Sequence, residues 1–145
     1  MAIAEREATV VWEGSLATGH GTLSTGSEAL EALPLTWASR TETPNGKTSP
    51  EELIAAAHAS CFAMALALVL GQHKTPPTDL VVSARCTLDE IDGAPKITRE
   101  ALEVRGSAYG LDEAGFAADV AEAALLCPVS NALRGNVQLT IAVES

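Results

Sequence analysis

The feature that most constrains this chain is a long apolar segment in its first half. Leu53–Leu70 form an 18-residue run in which only His58 and Ser60 are polar. Its length is at the lower limit for a helix that crosses a membrane. Seven alanines and a histidine within the run favour instead a helix buried inside a soluble protein. We therefore expect the remaining elements to pack around one central apolar helix.

The segment before this run matches a helix start. Ser49 can act as the N-cap, Pro50 suits the first helical position, and Glu52 stands where a capping box has its acidic residue. Gly71 follows the run and predicts the end of the helix. The central helix is thus expected to begin at about Pro50 and to stop at Gly71.

Shorter elements flank the helix on both sides. Alternating apolar and polar residues predict strands at Ala8–Glu13, within His20–Ser27, at Pro34–Arg40, Val82–Leu88, Lys96–Tyr109 and Val137–Val143. Asp92-Gly93 predicts a hairpin turn, and Gln72–Asp79 predicts a proline-containing connector. A second helix is expected from Asp112, and a short third helix at Pro128–Leu133. This order indicates an α+β fold with a largely antiparallel sheet.

The overall charge limits the partners of the chain. Nineteen acidic against nine basic residues give a net charge of -10, which repels the phosphate backbone of nucleic acids. Met1–Glu7 have no basic segment followed by an apolar one, so we expect no signal peptide. Three cysteines are an odd number for a secreted disulfide framework. The sequence therefore predicts one cytoplasmic domain of 145 residues without a nucleic-acid or membrane partner.

Each of the three cysteines admits a structural and a chemical interpretation. Cys86 lies on the apolar side of a predicted strand, where a cysteine packs as a small hydrophobe. Cys127 precedes Pro128 at the start of a short helix, where free N–H groups favour a thiolate, although a capping or packing role fits equally well. Cys61 lies in the middle of the apolar helix, where burial raises the pKa of a thiol. Cys61 is therefore reactive only if a cation reaches it, and composition alone favours a core residue.

His58 stands three residues before Cys61 and raises the alternative of a metal site. An H-x-x-C pair supplies two ligands, and the others would have to come from His20, His73, Cys127 or carboxylates at unfavourable spacings. An interior histidine with protein partners is the simpler interpretation. The chain has no C-x-x-C motif, glycine-rich phosphate loop or nucleophile-elbow serine. Thioredoxin-type exchange is therefore excluded.

Four segments of the chain together resemble one family. Ser49–Phe62, with the sequence SPEELIAAAHASCF, looks like the central-helix motif of the OsmC/Ohr family. Cys127–Ser130, with the sequence CPVS, looks like the second cysteine motif of that family. Trp12–Gly14 and Gly19–Ser24 are similar to the OsmC branch in particular. The resemblance covers nearly the whole chain, and its segments follow the family's order.

This resemblance implies a fold, an assembly and an activity. The fold is an α+β OsmC/Ohr-like domain over residues 1–145, in which antiparallel sheets surround a long buried central helix. The assembly is an intertwined homodimer with two active sites at the subunit interface. The activity is a peroxidase that reduces organic hydroperoxides, and hydrogen peroxide more weakly, in defence against oxidative stress. It needs no metal, haem or flavin.

The same resemblance implies roles for four residues. Cys61 matches the family's peroxidatic cysteine, and Cys127 matches its resolving cysteine. Arg40 matches the catalytic arginine of the OsmC branch, and Glu51 matches the glutamate that holds this arginine. About 15 Å of helix separates Glu51 from Cys61, so Glu51 acts on Cys61 only by aiming Arg40 through a bidentate ion pair.

The implied reaction begins when the Cys61 thiolate attacks the peroxide and becomes a sulfenic acid, which then condenses with Cys127 to a disulfide. A lipoyl-type or other small dithiol would restore both thiols. Apolar neighbours such as Phe62, Met64 and Leu66 would favour organic hydroperoxides as substrates. A non-catalytic protein that binds an apolar ligand on the same fold is the alternative function.

Overall fold

The computed structural model describes residues 1–144 and divides into two compact units. The first unit comprises Met1–Leu53, and the second begins at Ile54. The boundary lies within the first turns of the long helix, so this helix contributes residues to both units. Each unit contains its own three-stranded sheet.

An antiparallel sheet forms most of the first unit. Its strands are β1 (Ala8–Glu13), β2 (His20–Thr25) and β3 (Leu33–Leu35), in this order across the sheet. β1 and β2 pair along their whole length, from Ala8 opposite Thr25 to Glu13 opposite His20. The structure confirms the predicted β1 to the residue and confirms a strand within the segment that begins at His20.

A short helix that the alternation pattern does not predict follows β3. Helix α1 spans Trp37–Thr41 and begins after the N-cap Thr36, whose hydroxyl accepts the backbone N–H of Ser39 at 3.0 Å. The Ser39 hydroxyl accepts the Thr36 N–H in return at 2.9 Å, which completes a capping box. The predicted strand Pro34–Arg40 is therefore wrong in its second half, because local capping outweighs the alternation. Arg40 lies in the last turn of a helix.

The long helix α2 (Pro50–Gln72) starts as the sequence predicts. The Ser49 hydroxyl accepts the backbone N–H of Glu52 at 3.1 Å, which is the N-cap interaction. The Glu52 carboxylate accepts the Thr48 hydroxyl at 2.9 Å, so this side chain serves Thr48 rather than the second half of a capping box. The helix ends one residue beyond Gly71.

Within the described chain, α2 is buried on one face only. Phe62 and Leu66 are fully buried, whereas Met64 and Leu68 are 72% and 53% exposed. Ser60 is also exposed. It stands four residues before Met64, which stands four residues before Leu68, and these three residues define the exposed stripe of α2 (Ser60, Met64, Leu68). By length and composition alone α2 could cross a membrane, although the core helix of a soluble protein meets the same criteria. The predicted central helix is therefore present, with burial on its other face.

The second unit is built on a mixed sheet. β4 (Pro77–Ile91) and β5 (Ala94–Ala108) form an antiparallel hairpin, and β6 (Gln138–Glu144) pairs parallel to β5. The hairpin turns at Asp92 and Gly93, whose φ angles of 53° and 80° fit the predicted turn. β4 begins within the predicted connector, which is therefore too long. The parallel pair departs from the antiparallel expectation because the chain returns to β6 through a helical crossover.

Two helices form this crossover between β5 and β6. Helix α3 (Glu113–Leu126) begins after Asp112, whose carboxylate accepts the N–H of Gly115 at 2.8 Å. Helix α4 (Pro128–Leu133) follows the break at Cys127, as the sequence predicts. Residues of α2, α3 and β5 form the core, which includes Phe62, Leu66, Val69, Leu70, Leu102, Val104, Phe116, Val120, Ala123 and Cys127. The arrangement confirms the α+β class.

Candidate active site

Cys61 and Cys127 meet in the core of the second unit. Cys61 is half-buried on α2, and Cys127 is fully buried at the break between α3 and α4. Pro128 causes this break, and Cys127 accordingly has an extended conformation with φ -65° and ψ 113°. Both thiols are free, and they are hydrogen-bonded to each other. The fold therefore brings together two cysteines that are distant in the sequence.

Hydrogen bonds surround the Cys127 thiol. The backbone N–H of Ser130 donates to Cys127 Sγ at 3.5 Å, and further hydrogen bonds involve the Ser130 side chain, Cys61 and the backbone of Val129. Burial raises the pKa of Cys127, but these hydrogen bonds together outweigh burial and hold the pKa below its ordinary value. Cys127 is thus the thiol of the pair that ionises more readily.

The surroundings of Cys61 act in the opposite direction. Burial raises the pKa of Cys61 most strongly, and the backbone of Val129 lowers it. The hydrogen bond with Cys127 and the negative charge of Cys127 raise it further, so the pKa lies above its ordinary value. This direction agrees with the expectation for a thiol in an apolar helix.

Arg40 and Glu51 form a bidentate ion pair within the first unit. Arg40 Nε donates to the two Glu51 oxygens at 3.0 and 3.1 Å, and Nη2 donates to Oε1 at 2.8 Å. The Glu51 side chain is only 8% exposed, so solvent screens this pair less than a surface ion pair. The guanidinium also lies 5.8 Å from the centre of the Trp37 ring, a cation–π distance. The pair joins α1 to the first turn of α2.

His58 joins α2 to two other buried side chains. Its Nε2 lies 2.7 Å from the Ser130 hydroxyl, and its Nδ1 lies 3.2 Å from Oε1 of Glu100 on β5. The second contact is close enough for an ion pair but is not aligned as a hydrogen bond, and in residues 1–144 neither Nδ1 nor the Glu100 oxygens have a hydrogen-bond partner. Because both ring nitrogens face protein groups, His58 is an interior histidine and not half of a metal site with Cys61.

His73 lies between two carboxylates of α3. Its Nδ1 is 2.9 Å from Asp119 Oδ1, and its Nε2 is 3.5 Å from Glu122 Oε2. Three potential metal-ligand atoms come together here, but the group contains neither Cys61 nor His58. The two carboxylates face different ring nitrogens, whereas one metal ion binds a histidine through one nitrogen. The geometry suits a pair of ion-pair contacts.

The remaining candidates near Cys61 separate by burial. Phe62 and Leu66 are part of the core, whereas Met64 belongs to the exposed stripe of α2. Met64 therefore does not share the buried surroundings of the other two. Cys86 is half-buried in β4, on the side of the strand where its neighbours are also partly buried. This position agrees with its interpretation as a packing cysteine.

Ser130 contacts the Cys127 thiol and Glu100 contacts His58, although no nucleophile or ligand motif in the sequence singles out either residue. Along β5, Glu100 is buried in phase with Leu102 and Val104, while alternate residues are more exposed. A carboxylate in phase with the apolar side of a strand is the signal that could reveal Glu100. Ser130 stands three residues after Cys127, the position whose N–H a capping side chain accepts.

Comparison with known proteins places the chain in a family. The family profile described as OsmC-like protein matches residues 43–142. The chain is 40% identical over 134 residues to Peroxiredoxin OsmC of Escherichia coli (strain K12), covering 92% of this chain and 93% of that protein. It is 35% identical over 95 residues to the organic hydroperoxide resistance protein of Xanthomonas axonopodis pv. citri (strain 306), covering 65% of each. The chain therefore belongs to the OsmC-like protein family.

Solved structures share the fold. The organic hydroperoxide resistance protein OsmC from Legionella pneumophila matches with a TM-score of 0.79 and 27% identity over 100% of both chains. The organic hydroperoxide resistance protein OhrB of Bacillus subtilis matches with a TM-score of 0.76 and 27% identity, covering 95% of this chain and 98% of that one. These matches confirm the expected OsmC/Ohr-like fold.

Replacing Cys127 with alanine should lower the pKa of Cys61. The substitution removes a hydrogen bond and a negative charge that both raise this pKa. The rate of Cys61 alkylation by iodoacetamide, followed by mass spectrometry across a range of pH, measures the pKa because the thiolate is the reacting species. Cys86→Ser is the control, since Cys86 is not among the groups that shift either pKa. A Cys61 pKa that stays the same or rises in the Cys127→Ala variant contradicts the coupling.

Proposed function

We propose that this protein is a cysteine-based peroxidase that reduces organic hydroperoxides to alcohols in defence against oxidative stress. The observation that carries the proposal is the pair of free thiols, Cys61 and Cys127, hydrogen-bonded to each other in the core. Two adjacent thiols can be oxidised to a disulfide and reduced again without a metal, haem or flavin. Membership of the OsmC-like family supports this reaction, because relatives are named peroxiredoxin and organic hydroperoxide resistance protein.

Cys61 is the nucleophile of the proposed reaction. Its thiolate attacks the distal peroxide oxygen, the O–O bond breaks, and the alcohol leaves after taking a proton, while Cys61 becomes a sulfenic acid. Cys127 then attacks the sulfenic sulfur, so that a Cys61–Cys127 disulfide forms and water leaves. A lipoyl-type or other small dithiol reduces the disulfide by exchange and is itself oxidised to a disulfide. Each cycle converts one hydroperoxide and one dithiol into an alcohol, a water and a disulfide.

The two thiol pKa values fit these roles if a cation assists Cys61. A lowered pKa suits Cys127 for attack on the sulfenic acid as a thiolate. A raised pKa means that Cys61 needs a positive charge in order to ionise. Arg40 supplies this charge and stabilises the negative charge that develops on the leaving oxygen. Glu51 is a positioning residue, since its two oxygens fix the plane of the guanidinium.

The apolar surroundings of Cys61 favour organic hydroperoxides over hydrogen peroxide. Cys61 packs against a core cluster that includes Phe62 and Leu66. An alkyl or aryl group buried beside such residues contributes about 25 cal/mol per Å² of apolar surface. Hydrogen peroxide has no group that gains this contribution, so we expect it to react more slowly.

The proposed enzyme is a single domain that acts in the cytoplasm. The match to the Legionella pneumophila structure over 100% of both chains supports one domain that comprises the whole chain. A reducing compartment keeps small dithiols and resting cysteines reduced, which the proposed cycle requires. No metal or organic cofactor takes part in any step of this cycle.

The exposed stripe of α2 supports a homodimer. Met64 and Leu68 expose apolar surface on a helix whose other face forms the core. Exposed apolar surface of this kind marks interaction sites on soluble proteins. A second copy of the chain that packs its own stripe there would cover both surfaces in one two-fold interface. The family resemblance implies the same occupant, in an intertwined dimer with two active sites.

A non-catalytic protein that binds an apolar ligand is not favoured. Such a protein has no use for two free thiols in hydrogen-bond contact. Its relatives would also not be expected to carry names that refer to peroxide chemistry. A ligand-binding protein would keep its thiols when treated with hydroperoxide, whereas the proposed peroxidase loses both.

Substitution of each cysteine should separate the steps of the cycle. Cys61→Ser should abolish turnover of cumene hydroperoxide, because the nucleophile is lost. Cys127→Ser should consume one equivalent of peroxide per chain and stop, with a Cys61 sulfenic acid that dimedone traps and mass spectrometry detects. Cys86→Ser is the control and should turn over normally. Full activity of Cys61→Ser, or normal dithiol-dependent cycling of Cys127→Ser, would disprove the corresponding role.

Arg40→Ala should raise the Cys61 pKa and lower kcat/KM for cumene hydroperoxide by about a hundredfold to a thousandfold, the loss typical of one electrostatic donor. Arg40→Lys keeps the charge without the fork that Glu51 binds and should retain part of the activity. Glu51→Gln should lower kcat/KM because the guanidinium is held less firmly. Arg99→Ala, which removes an exposed arginine from β5, is the control. An unchanged Cys61 titration in Arg40→Ala removes Arg40 from the scheme.

Light scattering should give the purified protein a mass of about twice the 15.0 kDa of one chain. Leu68→Asp places a charge in the exposed stripe and should shift the mass towards that of one chain. Tyr109→Asp changes a residue that is 91% exposed outside α2, and it should leave the mass unchanged. A wild-type mass equal to one chain at micromolar concentration would rule out the dimer.

A further inference from the structure

A continuous line of buried polar groups leads away from the Cys127 thiol. Cys127 Sγ accepts the Ser130 N–H and is hydrogen-bonded to the Ser130 side chain. The Ser130 hydroxyl lies 2.7 Å from His58 Nε2, and His58 Nδ1 lies 3.2 Å from Glu100 Oε1. We name these four residues the thiol relay (Cys127, Ser130, His58, Glu100). The proposed cycle as described so far uses only the first of them.

Burial makes the far end of the relay costly if it has only a packing role. His58 is 1% exposed and Glu100 is 0% exposed. In the described part of the chain, both Glu100 oxygens and His58 Nδ1 lack a hydrogen bond. An ionised carboxylate in a core is strongly destabilising unless a positive charge stands beside it, and a well-packed apolar pair is often at least as stable. Two ionisable groups at ion-pair distance in the core therefore indicate a role in proton transfer.

We propose that His58 and Glu100, acting through Ser130, accept the proton of Cys127 when Cys127 attacks the Cys61 sulfenic acid. The inference rests on the proposed peroxidase function and adds to it the group that activates the resolving step. Ser130 touches the reacting sulfur and is a catalytic residue in this step. His58 and Glu100 are positioning residues, because they act on the sulfur through Ser130. Hydroxyl, imidazole and carboxylate occur here in the order that serine hydrolases use to move a proton.

Protons and electrons balance within this step. When the ring proton of His58 is on Nδ1, facing Glu100, Nε2 is free to accept a proton. The Ser130 hydroxyl then donates its proton to His58 Nε2 and accepts the proton of Cys127 in its place. The sulfur electron pair then forms the S–S bond while the S–O bond of Cys61 breaks. The leaving hydroxide takes a proton from solvent and departs as water. Cys127 is oxidised and the sulfenic sulfur is reduced. When the dithiol later cleaves the disulfide, His58 returns its proton to the Cys127 thiolate by the same path.

The charged groups around His58 favour this direction of proton transfer. Glu100 faces the ring from β5 at ion-pair distance. Arg134 lines the same cavity of about 210 Å³ as His58, but its guanidinium is held by the backbone oxygen of Ala124 at 2.8 Å. The Cys127 thiolate, on the other side of the serine, is also negative after the transfer. The imidazolium thus forms between two negative groups, and both stabilise it.

Single-turnover kinetics test the relay separately from the peroxidase function. After reduced protein is mixed with cumene hydroperoxide, loss of the Cys61 thiolate reports the first phase, and disulfide formation is the second. His58→Gln should leave the first phase unchanged and slow the second by about tenfold or more at a pH below the Cys127 pKa, since a general base contributes at least this much. The second phase should recover as the pH rises, because solvent then ionises Cys127 without the relay. Glu100→Gln should change the pH profile in the same direction.

The control is another histidine with acidic partners in the same unit. His73→Gln removes an imidazole ring that contacts Asp119 and Glu122. These contacts are separate from the thiol relay, so both phases should keep their rates. If His58→Gln slows both phases equally, or slows the second with no change in its pH profile, the role of His58 is structural and the relay is wrong. If the wild-type protein shows no first phase, the peroxidase proposal fails instead.

A double-mutant cycle keeps the relay testable if His58→Gln does not fold. Ser130→Ala cuts the path between the thiol and the imidazole, so it should slow the second phase and give it the pH dependence of an unassisted thiol. Glu100→Gln added to Ser130→Ala should then have no further effect on the second phase, because its effect passes through Ser130. Effects of the two substitutions that add would overturn the proposal.

Discussion

The hydrogen bond between the half-buried Cys61 thiol and the fully buried Cys127 thiol is the interaction on which the rest of this site depends. It exists because a proline ends one helix at Cys127 and leaves that thiol against the central helix, beside Cys61. This one hydrogen bond lowers the pKa of Cys127 and raises that of Cys61. The two sulfurs therefore cannot ionise as independent groups. An ordered sequence, in which one sulfur is oxidised before the other attacks, suits such a pair.

The cation of the proposed site comes from a part of the chain with its own local order. A capping box fixes the short helix that carries Arg40. The carboxylate of Glu51 accepts hydrogen bonds from Nε and Nη2 of the guanidinium. Trp37 adds a ring at cation–π distance. A charge that is already oriented needs little reorganisation when negative charge develops on a substrate, which is the basis of electrostatic catalysis. The family resemblance supplies the pairing of this charge with Cys61.

Elements defined by neighbouring residues could be predicted from the sequence. Local residues determine three such elements: the alternation in β1, the positive-φ turn at Asp92-Gly93 and the proline at the start of α4. Helix α1 could not be predicted in this way, because the reciprocal hydrogen bonds of Thr36 and Ser39 lie within a segment that alternates like a strand. The parallel pairing of β5 with β6 depends on a crossover and has no local signal.

The properties of the site likewise differ in whether neighbouring residues or long-range contacts determine them. Burial alone gives the direction of the Cys61 pKa, because an apolar helix disfavours a thiolate whatever its neighbours are. The lowered pKa of Cys127 depends on the hydrogen bonds around it, and the Ser130 side chain among them also meets His58, 72 positions away in the sequence. Glu100 completes this contact from a third element. Such long-range contacts form only when the fold is complete, so no spacing rule reveals them.

The helix that carries Cys61 also carries the exposed stripe of Ser60, Met64 and Leu68. Under the proposed homodimer, association stabilises the folded chain by mass action, and the gain grows with protein concentration. Dilution would then destabilise the same helix that carries Cys61, the proposed nucleophile. A cell that accumulates this protein would contain more of the proposed active sites, and the folded state that carries each site would be more stable. The abundance of the protein would thereby act as a control on the reactivity of each molecule.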